Sequence, residues 1–329
     1  MRSVLVFRTD RVGDFLISQI FINALKKKFY NCNIDIVCSN KNFNFVSNFT
    51  IFQKVFLYPE NFLEKIKFYF SIIFSYDAII VMDGKKRSIF NTIFSFSKNK
   101  ILFTPSKFNF FFYYFFFDKI FFIDYKFPII NFLSSACSYF KFNLEKNDLN
   151  LVRSNTTSLL IYKKYLNNYI IFNFDEKWFF KNYIRSYSCI QPNQSEFTSF
   201  LDKMALITND RIVIINGLHK SAIFDYLKLK SIKITSKFYI YKNNQIFLFD
   251  SIDLFQLQKL ISEANLLITC HGAPSHLASG YSVPLIDIID NSEISIFRSY
   301  SYHFRNRHTI LRSSFNTISK TILKKLKMF

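Results

Sequence analysis

Three short stretches of the chain hold residues whose types and spacing could do chemistry. The first is Arg11-x-Gly13-Asp14, set between an apolar run and an amphipathic one. A carboxylate at such a junction can take a proton from an attacking hydroxyl, or it can simply cap a helix. The second is His271-Gly272-Ala273-Pro274-Ser275-His276. Gly272 permits a turn or a close approach of ligand, and Pro274 suits the first turn of a helix. A helix N-terminus beside a cationisable histidine suits an anion such as a diphosphate. Satisfied structural histidines are the plainer alternative. The spacing of His271 and His276 would also admit a metal ion. However, no third ligand stands nearby and no carboxylate follows before Asp287, so no metal is expected, and no cofactor. A third group, Asp175-Glu176-Lys177-Trp178, offers Lys177 as a point charge for phosphate, or is a charged turn anchored by the only Trp. His303, Arg305, Arg307 and His308 read as a solvated basic patch.

These groups need elements to hold them. Val4 to Phe7 reads as a strand, and the turn from Arg8 to Asp14 leads into a helix that runs to about Tyr30. Ile17, Ile20, Phe21, Ala24 and Leu25 give that helix one apolar face. With a strand at Ile34–Cys38 this makes a βαβ unit and a parallel sheet. Further strands are expected at 54–58, 78–82 and 101–103, with a basic loop at 83–88 and a helix from Pro128 to about Phe142. A second strand–helix series starts at 169–173 and continues through strands near 211–215 and 245–249. A helix capped by Asp250 or Ser251 then leads into the strand Leu266–Thr269, a short helix ended near Gly280, and the strand Leu285–Ile289. The expected organisation is an N-terminal domain over 1–150, a polar linker over 151–168 and a C-terminal domain over 169–329. Each domain is doubly wound, and a cleft lies between them.

Composition bounds the partners. The formal net charge is +20, which favours phosphate-bearing partners, although a drift towards Lys would produce the same number. The 45 Phe against 5 Gly suggest an AT-biased genome as much as a physical need. Nucleic acid is not expected as a partner, because the positive charge is spread along the chain and no binding module is visible. The five cysteines are scattered without CxxC spacing, and the first ten residues do not resemble a signal peptide, so a cytoplasmic protein is expected. The run Phe110–Phe117 breaks at Asp118 and Lys119 after eight residues, whereas a membrane span needs about twenty. It either packs inside the first domain or touches a membrane surface. No dinucleotide fingerprint, phosphate-binding P-loop or nucleophile elbow is present.

Three stretches in order resemble glycosyltransferase family 9, the heptosyltransferase family of lipopolysaccharide assembly. They are Val4–Lys28 with its R-x-G-D turn, Tyr76–Ser88 with its Asp-Gly-basic loop, and Leu254–Ile289 with its Gly-and-His turn. The resemblance implies a GT-B fold, an acceptor on the N-terminal domain, a nucleotide sugar on the C-terminal one, and inverting transfer without a required metal. It gives Asp14 the part of general base and puts Arg11 and Gly13 of the same turn on the acceptor side. It gives diphosphate binding to Gly272 and His276, and more loosely to Ser275 and Lys177, while His271 is set on the donor side by its place in the turn and not by the resemblance. The implied partners are a nucleotide-sugar donor, a lipid-linked saccharide acceptor and the cytoplasmic face of the inner membrane. Two departures stand out: Cys270-His271 occupies the place where the family has Asp or Asn followed by Ser or Thr, and the Gly-to-His interval is four residues, not three. The donor therefore need not be ADP-heptose. The rival reading is a non-catalytic GT-B-like protein that binds a nucleotide or glycolipid.

Overall fold

The structure is a computed structural model. It describes residues 1–106, 110–145, 148, 162, 164–179, 188, 190–217, 219, 221–242 and 245–328. The chain forms two compact units, Met1–Asn155 with Arg298–His303, and Thr156–Phe297 with Phe304–Phe329. The division falls within the expected linker 151–168, most of which lies outside the described residues, as does Cys189. The return of residues 298–303 to the first unit has no counterpart in the sequence reading.

The first unit is built on six parallel strands: β1 (Ser3–Phe7), β2 (Asn33–Cys38), β3 (Lys54–Leu57), β4 (Ala78–Val81), β5 (Asn99–Thr104) and β6 (Lys119–Phe122). Their spatial order is β3-β2-β1-β4-β5-β6. β1 and β4 are buried on both faces, so they read as unbroken apolar runs and not as alternating ones. Chain direction reverses its progress across the sheet between β1 and β4. Right-handed crossovers therefore send the helices to opposite faces. Val12–Lys28 and Ile129–Tyr139 pack together on one face. Phe62–Ile72, Lys86–Ile93 and Phe110–Tyr114 cover the other, where Phe68, Ile72, Ile89, Tyr113 and Phe117 meet Leu5, Phe7 and Val81.

The second unit has eight strands in the order β14-β13-β12-β7-β8-β11-β10-β9. These are β7 (Tyr169–Phe174), β8 (Arg211–Asn216), β9 (Ile232–Lys233), β10 (Phe238–Tyr241), β11 (Ile246–Phe249), β12 (Leu266–Cys270), β13 (Leu285–Ile289) and β14 (Arg307–Leu311). Six are parallel, and the edge is extended by β10, antiparallel to β11, and then by β9, antiparallel to β10. The reversal here lies between β7 and β12. Phe172, Phe174, Trp178, Phe197, Phe200 and Phe315 fill the core on one side, with Phe174 and Phe197 centroids 4.5 Å apart.

Several local expectations are corrected. The run at 108–123 holds a short helix and β6, a strand not anticipated because Phe dominates the whole run and hides its period. Its described residues divide, with Tyr113, Phe117 and Phe121 buried and Phe112, Tyr114 and Phe115 exposed. Residues 86–88, expected as loop, begin the helix Lys86–Ile93. Asp253 caps the helix Leu254–Glu263, accepting from Phe255 N and Gln256 N at 2.9 and 2.8 Å. The expected caps are otherwise engaged: Asp250 accepts from Lys228 and Asn216, and Ser251 sits at φ +52°. Gly280 remains inside its helix, and Ser282 takes the left-handed conformation that follows (φ +59°).

Candidate functional site

In each unit the candidate residues collect at the carboxyl end of the sheet where the strand order reverses, the place where open α/β sheets bind ligands. In the first unit these ends belong to β1 and β4. Arg8 leaves β1 buried. Its guanidinium donates to Met82 O at the end of β4 and, from Nε and Nη2, to Asp14 O at 3.1 and 3.0 Å. It also ion-pairs with Asp10 at 3.4 Å. Asp83 draws the same two ends together, accepting from Thr9 Oγ1 at 2.6 Å and Ser88 Oγ at 2.8 Å. Lys85 donates to Thr9 O at 2.7 Å and pairs with Asp10.

This frame holds Asp14 at the third position of the helix Val12–Lys28. One carboxylate oxygen accepts from Arg11 N at 3.3 Å, so the capping role is real. The other stands 3.7 Å from Arg8 Nη2, and the side chain is 33% exposed. Asp14 lines a cavity of about 250 Å³ with Arg8, Asp10, Asp83, Tyr125 and Tyr300. Burial raises the Tyr300 phenol above its usual range, Arg8 opposes the rise, and Tyr125 and Asp14 add to it. Tyr300 therefore stays a neutral phenol, stacked on Tyr125 with centroids 5.8 Å apart. Arg11 is the exposed N-cap residue and Gly13 the second helical residue, and neither lines this cavity. Arg8 and Tyr300 were not singled out from the sequence. A charge directly after a buried strand could have pointed to Arg8, but no local signal links Tyr300 to a turn nearly three hundred residues away.

In the second unit the ends belong to β7, β12, β13 and β14. Trp178 is buried, and its Nε1 donates to Asn173 O at 2.8 Å, which anchors the turn carrying Lys177. Lys177 pairs with Asp175, and the two side chains are 12% and 10% exposed. Burial raises the Asp175 carboxyl above the usual range while the Lys177 charge opposes it. Asn173 Nδ2 bridges Asp175 Oδ2 at 3.2 Å and Thr269 Oγ1 at 3.0 Å, tying β7 to β12.

Gly272 is the N-cap of the helix Ala273–Gly280, in an extended conformation. A Cβ there would lie 3.2 Å from Lys177 Nζ, so the fold lays the lysine ammonium over the glycine at the helix N-terminus. His271 Nδ1 is 2.7 Å from Oδ2 of Asp287, whose carboxylate is fully buried. A carboxylate in that place holds the ring proton on Nδ1, and the ring packs against Phe297 with centroids 4.6 Å apart. Ser275 Oγ donates to the other Asp287 oxygen at 2.8 Å and accepts from Gly272 N at 3.3 Å. Ser275 is fully buried, and its amide donates to Gly272 O, so its groups serve the turn itself. His276 is also buried, 5.3 Å from the His271 ring and 5.2 Å from Phe304, which makes it a packing partner of His271. Cys270 is buried, and its thiol is pushed up to about 12 by burial, with Asp175 adding to the rise, so it is no thiolate at neutral pH. Arg312, after β14, donates to Lys177 O and Ser188 O, with Nη1 3.6 Å from Cys270 Sγ. Asp287 and Arg312 were missed as supports because each is a lone charge within or after an apolar strand. No group of three His, Cys, Asp or Glu suited to a metal ion occurs among the described residues.

Comparison with known proteins adds the class of fold. No protein-family model matches the sequence, and no curated protein matches it. Among solved structures, the chain resembles a glycosyl transferase family 9 protein from Veillonella parvula (TM-score 0.68, 14% identity, 98% of this chain and 89% of that one). It also resembles the E. coli heptosyltransferase WaaC with ADP (0.65, 12%, 99% and 100%). A UDP-GlcNAc 2-epimerase from Methanocaldococcus jannaschii shares the architecture (0.59, 14%, 100% and 92%). The chain has the GT-B fold of two Rossmann-like units, as the resemblance to family 9 implied.

Proposed function

We propose that the protein is an inverting glycosyltransferase of the family 9 type. It transfers heptose or a related sugar from a nucleoside-diphosphate donor to a lipopolysaccharide core or another surface glycan. It works in the cytoplasm, at the inner-membrane surface. One observation carries the reading: Lys177 and the Gly272 turn occupy the second unit's strand-order reversal, the place where this fold receives a nucleotide. Solved neighbours with the same fold are named with ADP and with ADP-2-deoxy-2-fluoro heptose.

In this mechanism the acceptor hydroxyl attacks the anomeric carbon on the side opposite the diphosphate. The new C–O bond forms while the donor C–O bond breaks, and the electron pair departs with the diphosphate. Asp14 receives the hydroxyl proton as that bond forms, when the oxygen becomes acidic. Arg8 fixes Asp14 through its main-chain carbonyl, and the Tyr300 phenol offers a neutral donor at the cavity wall. Charge developing on the diphosphate meets the N-terminus of the helix Ala273–Gly280, the Lys177 ammonium and the His271 ring. These groups stand in place before reaction, so little reorganisation is required of them. Arg11 is the exposed charge nearest to Asp14 in sequence and contributes to acceptor binding at the mouth of the turn.

The test is acceptor-dependent release of nucleoside diphosphate from ADP-, UDP- and GDP-sugars, with truncated lipopolysaccharides as acceptors and NMR of the product anomer. Release that needs the acceptor and gives the inverted anomer is expected. Donor binding without acceptor-dependent release would favour the non-catalytic alternative.

A further inference from the structure

The three helices on one face of the first unit's sheet are apolar on two sides. Inward, Phe68, Ile72, Ile89 and Tyr113 join the core. Outward, Phe62, Phe70 and Phe90, with Phe74, Phe96 and Phe115 in the turns that follow, are between 62% and 81% exposed. A helix on a soluble protein ordinarily gives its outer side to polar residues. Composition alone does not explain the departure. The second unit is also rich in Phe, yet none of its described Phe residues is among the exposed large hydrophobics.

Exposed rings adjoin within the layer: Phe90 and Phe94 lie with centroids 4.9 Å apart. Phe74 and Phe96 stack with centroids 4.8 Å apart and planes 8° apart. Phe96 N donates to Ile73 O and Tyr69 Oη to Phe94 O, both at 2.7 Å, which locks the first helix of the layer to the second. The exposed charges from 62 to 98 are Lys65, Lys67, Lys86, Arg87 and Lys98 against the single Glu64. Rings interleaved with cations match a surface that is apolar below and anionic above. A second copy of the chain would bring the same cations against these and be repelled.

We propose that this face docks the protein on an anionic lipid bilayer. The phenylalanine rings enter the boundary between headgroups and acyl chains, and the lysines meet lipid phosphates. The contact is one-sided: no helix among the described residues is long and apolar enough to cross a membrane. The proposal specifies the membrane contact in the reading above but stands independently of sugar transfer, and its test uses no activity readout.

The purified full chain is floated with vesicles of phosphatidylcholine alone or mixed with phosphatidylglycerol, at low and high salt. Wild type should bind the mixed vesicles and be released by salt. Phe62→Ser/Phe70→Ser/Phe115→Ser should lower partitioning at least about tenfold. Lys67→Glu/Lys86→Glu/Lys98→Glu should lower it about a hundredfold, at about fivefold per cation removed, and abolish the salt effect. The control Leu206→Ser/Leu229→Ser, at exposed apolar positions of the second unit, should leave binding unchanged. All variants should melt near wild type, because the substituted side chains are exposed. No binding by wild type, or equal loss in the control, would overturn the proposal. So would a dimer that the aromatic triple variant converts to monomer without changing vesicle binding, which would make the face a self-association surface.

Discussion

Lys177→Met removes the ammonium from a pair that the fold keeps largely out of water, at 12% and 10% side-chain exposure. Asp175 would keep its hydrogen bonds from Lys177 N at 3.1 Å and Asn173 Nδ2 at 3.2 Å but lose its counter-charge. Breaking a buried pair costs about 3–5 kcal/mol when nothing replaces the lost charge, and the retained hydrogen bonds bring this to about 2–3 kcal/mol. The sign with pH follows from the raised Asp175 pKa. Burial raises it, Lys177 opposes the rise, and methionine would leave it higher still. A folded-state pKa above the unfolded value gives stability that is full below the unfolded pKa and is lost as pH rises through the folded one. The deficit of the variant should therefore be small near pH 4, about the unfolded value, and grow as pH rises to 7. Urea unfolding at the two pH values measures it. Asp175→Asn/Lys177→Met should recover most of the stability at pH 7, yet bind the donor about tenfold more weakly, the cost of one lost charge–phosphate contact. A loss below about 0.5 kcal/mol at pH 7, or an equal loss at both pH values, would refute the buried-pair reasoning. Unchanged donor affinity in the double variant would remove Lys177 from the donor site.

Substitutions at three further positions probe the turns. Gly84 sits at φ +59°, and a Cβ there would lie 3.0 Å from Phe103 O, so Gly84→Ala should cost about 1–2 kcal/mol or more and lower Tm by several degrees; an unchanged Tm would mean the turn relaxes freely. Asp287→Ala strips the buried carboxylate from His271 and Ser275 and should destabilise by about 2–4 kcal/mol in urea unfolding while weakening donor binding in titration; wild-type behaviour in both would show that the carboxylate does not brace the turn. Gly272→Ala meets only the flexible end of Lys177 and should change stability by less than about 0.5 kcal/mol, whereas Gly272→Val should displace the lysine and weaken donor binding about tenfold; equal donor affinity in both would separate Lys177 from the ligand.

The backbone plan was legible because strands buried on both faces announce themselves as apolar runs. β1, β2, β4, β7, β8 and β12 were all readable in that way. β6 was not, because Phe fills both its strand and the helix before it and hides the change of period. The short β9 and the antiparallel β10 gave no parallel-sheet rhythm to follow. The turns at Asp14 and Gly272 were visible from residue types alone. Their supports were not: Arg8, Asp287 and Arg312 act across the sheet, and Tyr300 reaches the Asp14 cavity from the far end of the chain. The sequence reading set Ser275 and His276 beside the ligand, whereas the helix turns both side chains inward, one to Asp287 and the other to Phe304.

The central claim is that Asp14 takes the acceptor proton during sugar transfer. Turnover by Asp14→Asn at saturating donor and acceptor tests it most directly. Asparagine can still accept from Arg11 N, and the lost contact with Arg8 is partly exposed, so stability should change by no more than about 1 kcal/mol. Donor affinity should be unchanged, because every donor-side residue named above belongs to the other unit. Turnover should fall about 10²–10⁴-fold, and a folded variant within about threefold of wild type would contradict the account and leave Asp14 as a helix cap.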